Sequence, residues 1–120
     1  MLSLMEDQKG FKRVTAWKKS MLLCREVYEL CLLFPANEIY SLSNQMKRSS
    51  VSIPSNIAEG YRRKSSKEYT HFLSIAIGSA AELETQLLIA NDVFSVNVDD
   101  QLRLVTEIQK LLYVMIRNQK

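Results

Sequence analysis

Glycine and proline are scarce in this chain, 3 and 2 in 120 residues, too few for the tight turn every ten residues or so that a β-sandwich or barrel requires. An all-helical fold is the first expectation. Cysteine is equally scarce. Cys24 and Cys31, on what reads as one helix, would stand about 10 Å apart on the same face, too far for a disulfide. Reduced core thiols in a cytoplasmic protein fit that spacing. With His71 the only histidine, no Cys/His zinc spacing exists, and neither a glycine-rich phosphate loop nor a nucleophile elbow occurs. Long apolar runs are missing too. The longest charge-free stretch, Tyr69 to Ala81, includes Thr70, His71 and Ser74 and falls short of the roughly 20 apolar residues that span a bilayer. The opening Met1-Leu-Ser-Leu-Met-Glu-Asp carries acids where a signal peptide carries Lys or Arg. A soluble protein with no membrane partner is expected.

At 47% apolar and 24% charged, the composition is that of a folding globular chain. A length of 120 residues suits one core, so a single domain is expected over residues 11–120 behind an N-terminal extension, 1–10. The net charge of +3, from 16 basic and 13 acidic residues, argues by itself for neither nucleic acid nor membrane. Its distribution says more. Residues 1–67 hold 12 Lys/Arg against 6 Asp/Glu, residues 68–120 hold 4 against 7, and no basic residue falls between Lys67 and Arg103.

From Phe11 to Phe34 the residues Trp17, Met21, Cys24, Tyr28 and Cys31 alternate at spacings of four and three, the expected buried seam of a first helix that Pro35 ends. A second helix is expected from about Ser43 to Tyr61, with Met46, Ile53 and Ile57 on one side and Gln45, Ser49, Ser52 and Asn56 on another. Pro54 inside it removes the backbone bond to Ser50, so a kink or break is expected, with nearby serines able to bond the freed carbonyls. Gly60 has the place of a C-cap glycine. Ser65-Ser-Lys-Glu68 is a capping box that opens a third helix. Tyr69, Leu73, Ala76, Ala80, Leu83, Leu87, Ala90 and Phe94 continue that helix in unbroken three-four alternation. After the short link Ser95 to Val98, Asp99 is the expected N-cap of a last helix with Val105, Ile108, Leu112 and Met115 facing inward. Four helices with short links favour an all-α, antiparallel up-down-up-down four-helix bundle. The small residues Ala76, Gly78, Ser79, Ala80 and Ala81 would let another helix approach the third one closely.

In that topology one end of the bundle collects the start of the first helix, the turn between the second and third, and the end of the fourth. Lys9, Lys12, Arg13, Lys18, Lys19, Arg62, Arg63, Lys64, Lys67, Arg117 and Lys120 map there, opposed only by Glu6, Asp7, Glu59 and Glu68. Glu26, Glu29, Glu38, Asp92, Asp99 and Asp100 map to the other end, with Arg25, Lys47 and Arg48 the main exceptions. A basic pole of this kind can neutralise several phosphates, and Phe11 and Tyr61 among the cations could stack on unpaired bases. The simpler alternative is that these cations solubilise helix ends and complement the C-terminal dipoles of helices two and four.

The run Gln45-Met-Lys-Arg-Ser-Ser-Val-Ser-Ile-Pro-Ser-Asn-Ile-Ala-Glu-Gly60, the basic residues after it, Lys67-Glu68-Tyr69, Phe72-Leu73 and Gly78-Ser79-Ala-Ala-Glu82-Leu-Glu84-Thr-Gln86-Leu87 form one pattern. It resembles the four-helix-bundle proteins of the 23S rRNA intervening sequence family. Ala16-Trp17-Lys18, Val27-Tyr28 and Phe34-Pro35 with Glu38, Tyr40 and Leu42 extend the likeness. It covers Phe11 to about Phe94, and the last helix joins it only by its apolar period. The resemblance implies a homo-oligomer, often a ring of five, encoded in some bacteria inside insertions in large-subunit rRNA genes. Related bundles are accessory factors of diversity-generating retroelements, where a basic pentameric bundle associates with a reverse transcriptase and nucleic acid. The family brings no catalytic residues and no cofactor.

Asn56 and Glu59, one turn apart beside Gly60, could be taken for an active-site pair, but no separate base or nucleophile completes a constellation. Asn56 is expected to bond across the bundle, and Glu59 to pair with Arg62, Arg63 or a neighbouring helix. Glu82 and Gln86 share a face of the third helix. They are expected to meet Gln45, Ser49 or Ser52 in a buried polar network that fixes helix register or a subunit contact. Glu68-Tyr-Thr-His71 is a single Glu-x-x-His where a di-metal bundle site uses two, so no metal is expected. A helix-turn-helix is disfavoured because the polar face of the second helix is Ser, Asn and Gln rather than Arg.

Together these features lead to a cytoplasmic, non-enzymatic, self-associating bundle that binds RNA or DNA. The residues expected to carry binding are Lys12, Arg13, Lys18, Lys19, Arg62, Arg63, Lys64, Lys67 and Arg117. The alternative is a protein-binding scaffold or accessory subunit of a reverse transcriptase.

Overall fold

The computed structural model describes residues 10–38 and 41–119. Lys9, Glu6 and Asp7 of the extension, Tyr40 and Lys120 lie outside the described residues. Gly10, at φ 62°, opens a short 3-10 turn, Gly10–Arg13. Four α-helices follow: α1, Thr15–Cys31; α2, Leu42–Tyr61; α3, Ser66–Phe94; and α4, Asp99–Arg117. No strand occurs among the described residues.

The two prolines act differently. Pro35 has no N–H to donate to the carbonyl of Cys31. The N–H of Phe34 donates there instead, at 3.2 Å, and α1 stops at Cys31 rather than at Phe34. Pro54 does not break α2, which runs uninterrupted from Leu42 to Tyr61. The carbonyl of Ser50, which Pro54 leaves without its helical donor, accepts from the Cys24 thiol of α1 at 3.1 Å. A cysteine from the neighbouring helix therefore takes the role expected of the serines. Ser49 and Ser50 donate to the carbonyls of Met46 and Lys47 instead. Burial pushes the Cys24 thiol above its ordinary value, the hydrogen bond to Ser50 only partly offsetting this, so at neutral pH the sulfur keeps the proton it donates.

Contacts between neighbouring helices run in opposite senses. Cys24 meets Ser50 and Cys31 meets Ser43. Ser49 meets Gln86 and Ser52 meets Ser79. On the far side Glu26 meets Gln101 and Lys19 meets Glu107. With α3 and α4 joined by four residues and bridged from Glu84 to Gln109, this is an antiparallel four-helix bundle.

The α3 seam is as expected, with Leu73, Ala76, Ala80, Leu83, Leu87 and Ala90 buried and Tyr69 and Phe94 packed against the core. Met46, Ile53 and Ile57 of α2 and Val105, Ile108 and Leu112 of α4 complete the core. In α1 Cys31 is buried as expected, but the rest of the buried row lies one residue away from the expected one. Ala16, Ser20, Leu23, Val27 and Leu30 face inward, while Met21 and Tyr28 are each 47% exposed. Both rows keep the same period. Ala16 and Ser20 allow closer approach than Trp17 and Met21, and the Ser20 hydroxyl, donating to the Ala16 carbonyl at 2.6 Å, is satisfied without water. α3 is long and apolar enough by composition to cross a membrane, but a core helix of a bundle meets the same test.

Helix ends also depart from expectation in places. Ser65 accepts from the Glu68 N–H at 3.1 Å, and its hydroxyl donates back to the Glu68 carboxylate at 3.2 Å. At the start of α4 the cap position falls on Val98 and Asp99 lies in the first turn, while the side chain of Asn97, one residue before the cap, accepts from the Asp99 N–H at 2.9 Å. Gly60 is not a left-handed cap. It sits in the last turn of α2, where a Cβ would lie 2.8 Å from Phe72 Cβ and 2.9 Å from Tyr69 Cδ1. Its role is close contact with α3.

Two outcomes follow from this packing. Gly60→Ala should cost about 1–3 kcal/mol by forcing the helices apart, seen as a lower urea midpoint at unchanged slope. The second concerns pH. Desolvation raises the Cys24 and Cys31 thiols above the ordinary 9.0, so the unfolded chain loses these protons first. Their contribution to stability is complete below about pH 9 and fades as pH rises above it. Urea titrations across that range should show the decline, and it should be shallower in Cys24→Ser.

Candidate nucleic-acid interface

The antiparallel order brings three segments to one end of the bundle. The Arg62 guanidinium, just past α2, lies 5.2 Å over the ring of Phe11 ahead of α1. Arg63, Lys64 and Lys67 occupy the α2–α3 turn and the first turn of α3. Arg117, in the last turn of α4, is ten residues past Glu107 and so about 15 Å beyond the level of Lys19. That is on the side of the Gly10–Arg13 turn.

The nine expected cations fall into two groups. In the first group the charge is already engaged. Lys19 pairs with Glu107 at 2.8 Å. Arg63 pairs with Glu59 at 2.7 Å and reaches Glu68 at 3.8 Å, while its guanidinium covers the Phe72 ring at 4.8 Å. Arg62 covers Phe11, and Lys12 is half-buried in the 3-10 turn with contacts of its own. In the second group are Arg13, Lys18, Lys64, Lys67 and Arg117, which are exposed and have no carboxylate partner among the described residues.

The aromatic rings are committed. Phe11 also meets Trp17 edge-on at 5.3 Å, and Tyr61 meets Tyr69 at 6.2 Å. Burial, and secondarily Tyr61, raise the Tyr69 hydroxyl above its ordinary value, keeping it neutral. Stacking on Phe11 would have to compete with Arg62, so the surface offers a ligand charge rather than open ring faces. An open depression of about 530 Å³ is lined by Arg63, Lys67, Glu68, His71 and Phe72. Its lining sets the Arg63 and Lys67 cations beside the Glu68 carboxylate.

The polar residues of α2 and α3 form a smaller network than the sequence suggests. Ser49 donates to Gln86 Oε1 at 2.7 Å in a buried contact, and Ser52 shares a hydrogen bond with Ser79 at 2.8 Å. Gln45 and Glu82 are exposed and take no part. Asn56 does not bond across the bundle. Its amide donates to the carbonyl and hydroxyl of Ser52 one turn back, at 2.8 and 3.0 Å. Two partners differ from those the sequence suggests: Ser79, which meets Ser52, and Glu84, which meets Gln109 at 2.9 Å. The first could have been found from its helical register, seven residues before Gln86 on the face that meets α2. His71 is exposed and touches Phe72 edge-on at 5.2 Å. No group of three His, Cys, Asp or Glu side chains that could hold a metal occurs among the described residues.

Residues 12–117 match the family model of the 23S rRNA-intervening sequence protein. Among solved structures, the chain is similar to a protein of unknown function from the S23 ribosomal protein family of Bacteroides thetaiotaomicron. The two are 26% identical with a TM-score of 0.75, over 86% of this chain and 99% of that one. Comparison with curated proteins finds no match.

Proposed function

The chain belongs to the 23S rRNA-intervening sequence protein family, and on that basis we propose a non-enzymatic, cytoplasmic bundle that binds RNA or another nucleic acid through its basic pole. It self-associates, as a ring of five if the family likeness extends that far. One observation carries the binding: Arg13, Lys18, Lys64, Lys67 and Arg117 are exposed and without a carboxylate partner among the described residues. These charges contribute little to the fold, whereas each can displace a condensed counterion from a phosphate. The committed rings and the lack of a groove-reading helix favour contact with the backbone rather than the bases. Repetition of the pole in an oligomer multiplies the local affinity.

A second reading rests on Leu32 and Leu33, which are exposed just past the end of α1, at the end opposite the basic pole. They favour a protein partner, as in a scaffold or an accessory subunit of a reverse transcriptase.

Binding of labelled RNA and DNA at rising salt separates these readings. Five phosphate contacts per subunit give a log–log slope of about −4 to −5 on duplex and about −3 to −4 on single strands. Combined Lys64→Glu, Lys67→Glu and Arg117→Glu should flatten the slope by about 2–3 and weaken low-salt binding at least about tenfold. Arg63→Glu, whose charge is already paired, should change it less. No binding at low salt, together with one protein captured from nuclease-treated lysate, would support the scaffold instead.

A further inference from the structure

Apart from Leu32 and Leu33 past α1 and Tyr113 and Val114 on α4, two faces of the bundle keep apolar surface that nothing in the monomer covers, and their charges are opposite. The first lies between α1 and α2. Trp17, Met21 and Cys24 of α1 with Val51, Pro54 and Ala58 of α2 line an open groove of about 340 Å³, and Tyr28 continues the α1 row. Cations border it on the α2 side: Lys47 lies 5.1 Å over the Tyr28 ring, and Arg48 is exposed one turn before Val51; Arg25 lines a separate depression with Glu26, Glu29 and Asp100. Arg25, Lys47 and Arg48 are the residues that do not fit the division of charge between the poles.

The second face is the outer side of α3. Opposite the buried seam, Ile75, Gly78, Glu82, Thr85, Ile89 and Asp92 repeat at alternating spacings of three and four, and all are exposed. Ile75 and Ile89 are 39% and 44% exposed. This helix has no cation after Lys67. Gly78 stands in its interior, where glycine is disfavoured, and a Cβ built there would meet nothing within 4 Å. Nothing inside the monomer explains that glycine. Close approach of another chain would.

We propose that the groove between α1 and α2 receives the outer face of α3 from a second copy of this chain. The apolar rows provide the contact, Gly78 permits close approach of the backbones, and Glu82 and Asp92 face the cations beside the groove. Because the two surfaces lie on different faces, the contact is heterologous and each copy uses both. The proposal rests on the self-association put forward above and specifies its surfaces.

The test uses two variants of the full chain, each changing an exposed residue. Val51→Arg blocks the groove, and Gly78→Arg blocks the α3 face while leaving the monomer's packing untouched. Each alone should be a helical monomer by circular dichroism and light scattering, with self-association weakened at least about 30-fold. Mixed, the two should form a one-to-one dimer and go no further, because one groove and one α3 face remain intact. Met21→Lys and Ile89→Lys serve as the second pair should either first variant misfold. Wild-type oligomers that survive both substitutions, or respond to only one, would overturn the assignment of surfaces, as would two monomeric variants that fail to pair. A monomeric wild type would remove the self-association reading itself.

Discussion

The basic end of the bundle is positioned by the missing side chain at residue 60. Gly60 lets the last turn of α2 lie against Phe72 and Tyr69 near the start of α3 at distances no Cβ would tolerate. Arg63 can then reach Glu59 behind it, Glu68 ahead of it and the ring of Phe72 together. Farther along the same interface, Ser52 bonds Ser79 and Ser49 bonds Gln86. Polar side chains bond the two helices beside the apolar core they share. The turn that carries Lys64 and Lys67 is thus held at both of its ends.

The α1–α2 interface meets a different constraint. A proline in the middle of a helix deprives a buried carbonyl of its donor, and an unsatisfied buried acceptor is costly. Here the donor comes from another helix, through the Cys24 thiol on the Ser50 carbonyl. That bond requires a protonated sulfur, and burial favours the protonated form. The Ser50 carbonyl that Pro54 leaves without a helical donor is also the atom that ties α2 to α1.

Much of this was legible in the sequence, for physical reasons that differ along the chain. α3 could be read almost residue by residue because a capping box marks its start and a single apolar seam runs its length. In α1 two rows with the same period competed. Period alone cannot tell which one faces inward, and the core took the row that opens with the small Ala16 and Ser20. Gly60 was placed near the helix end, but a cap and a close contact leave the same trace in one sequence. The donor for Ser50 was not legible because it comes from a distant part of the chain. The convergence of cations follows from topology. Which of them are neutralised depends on side-chain geometry, which separates Arg63 from Lys64 although they are adjacent.

That last separation divides the sequence into two independent specifications. The residues that determine the fold, namely the seams, Gly60, Pro54 with Cys24 and the serine contacts, do not include Arg13, Lys18, Lys64, Lys67 or Arg117. Substitutions among these five cations change the electric field outside the protein and leave its interior packing alone. One scaffold can therefore carry different surface fields without being rebuilt, and drift at these positions is not opposed by stability.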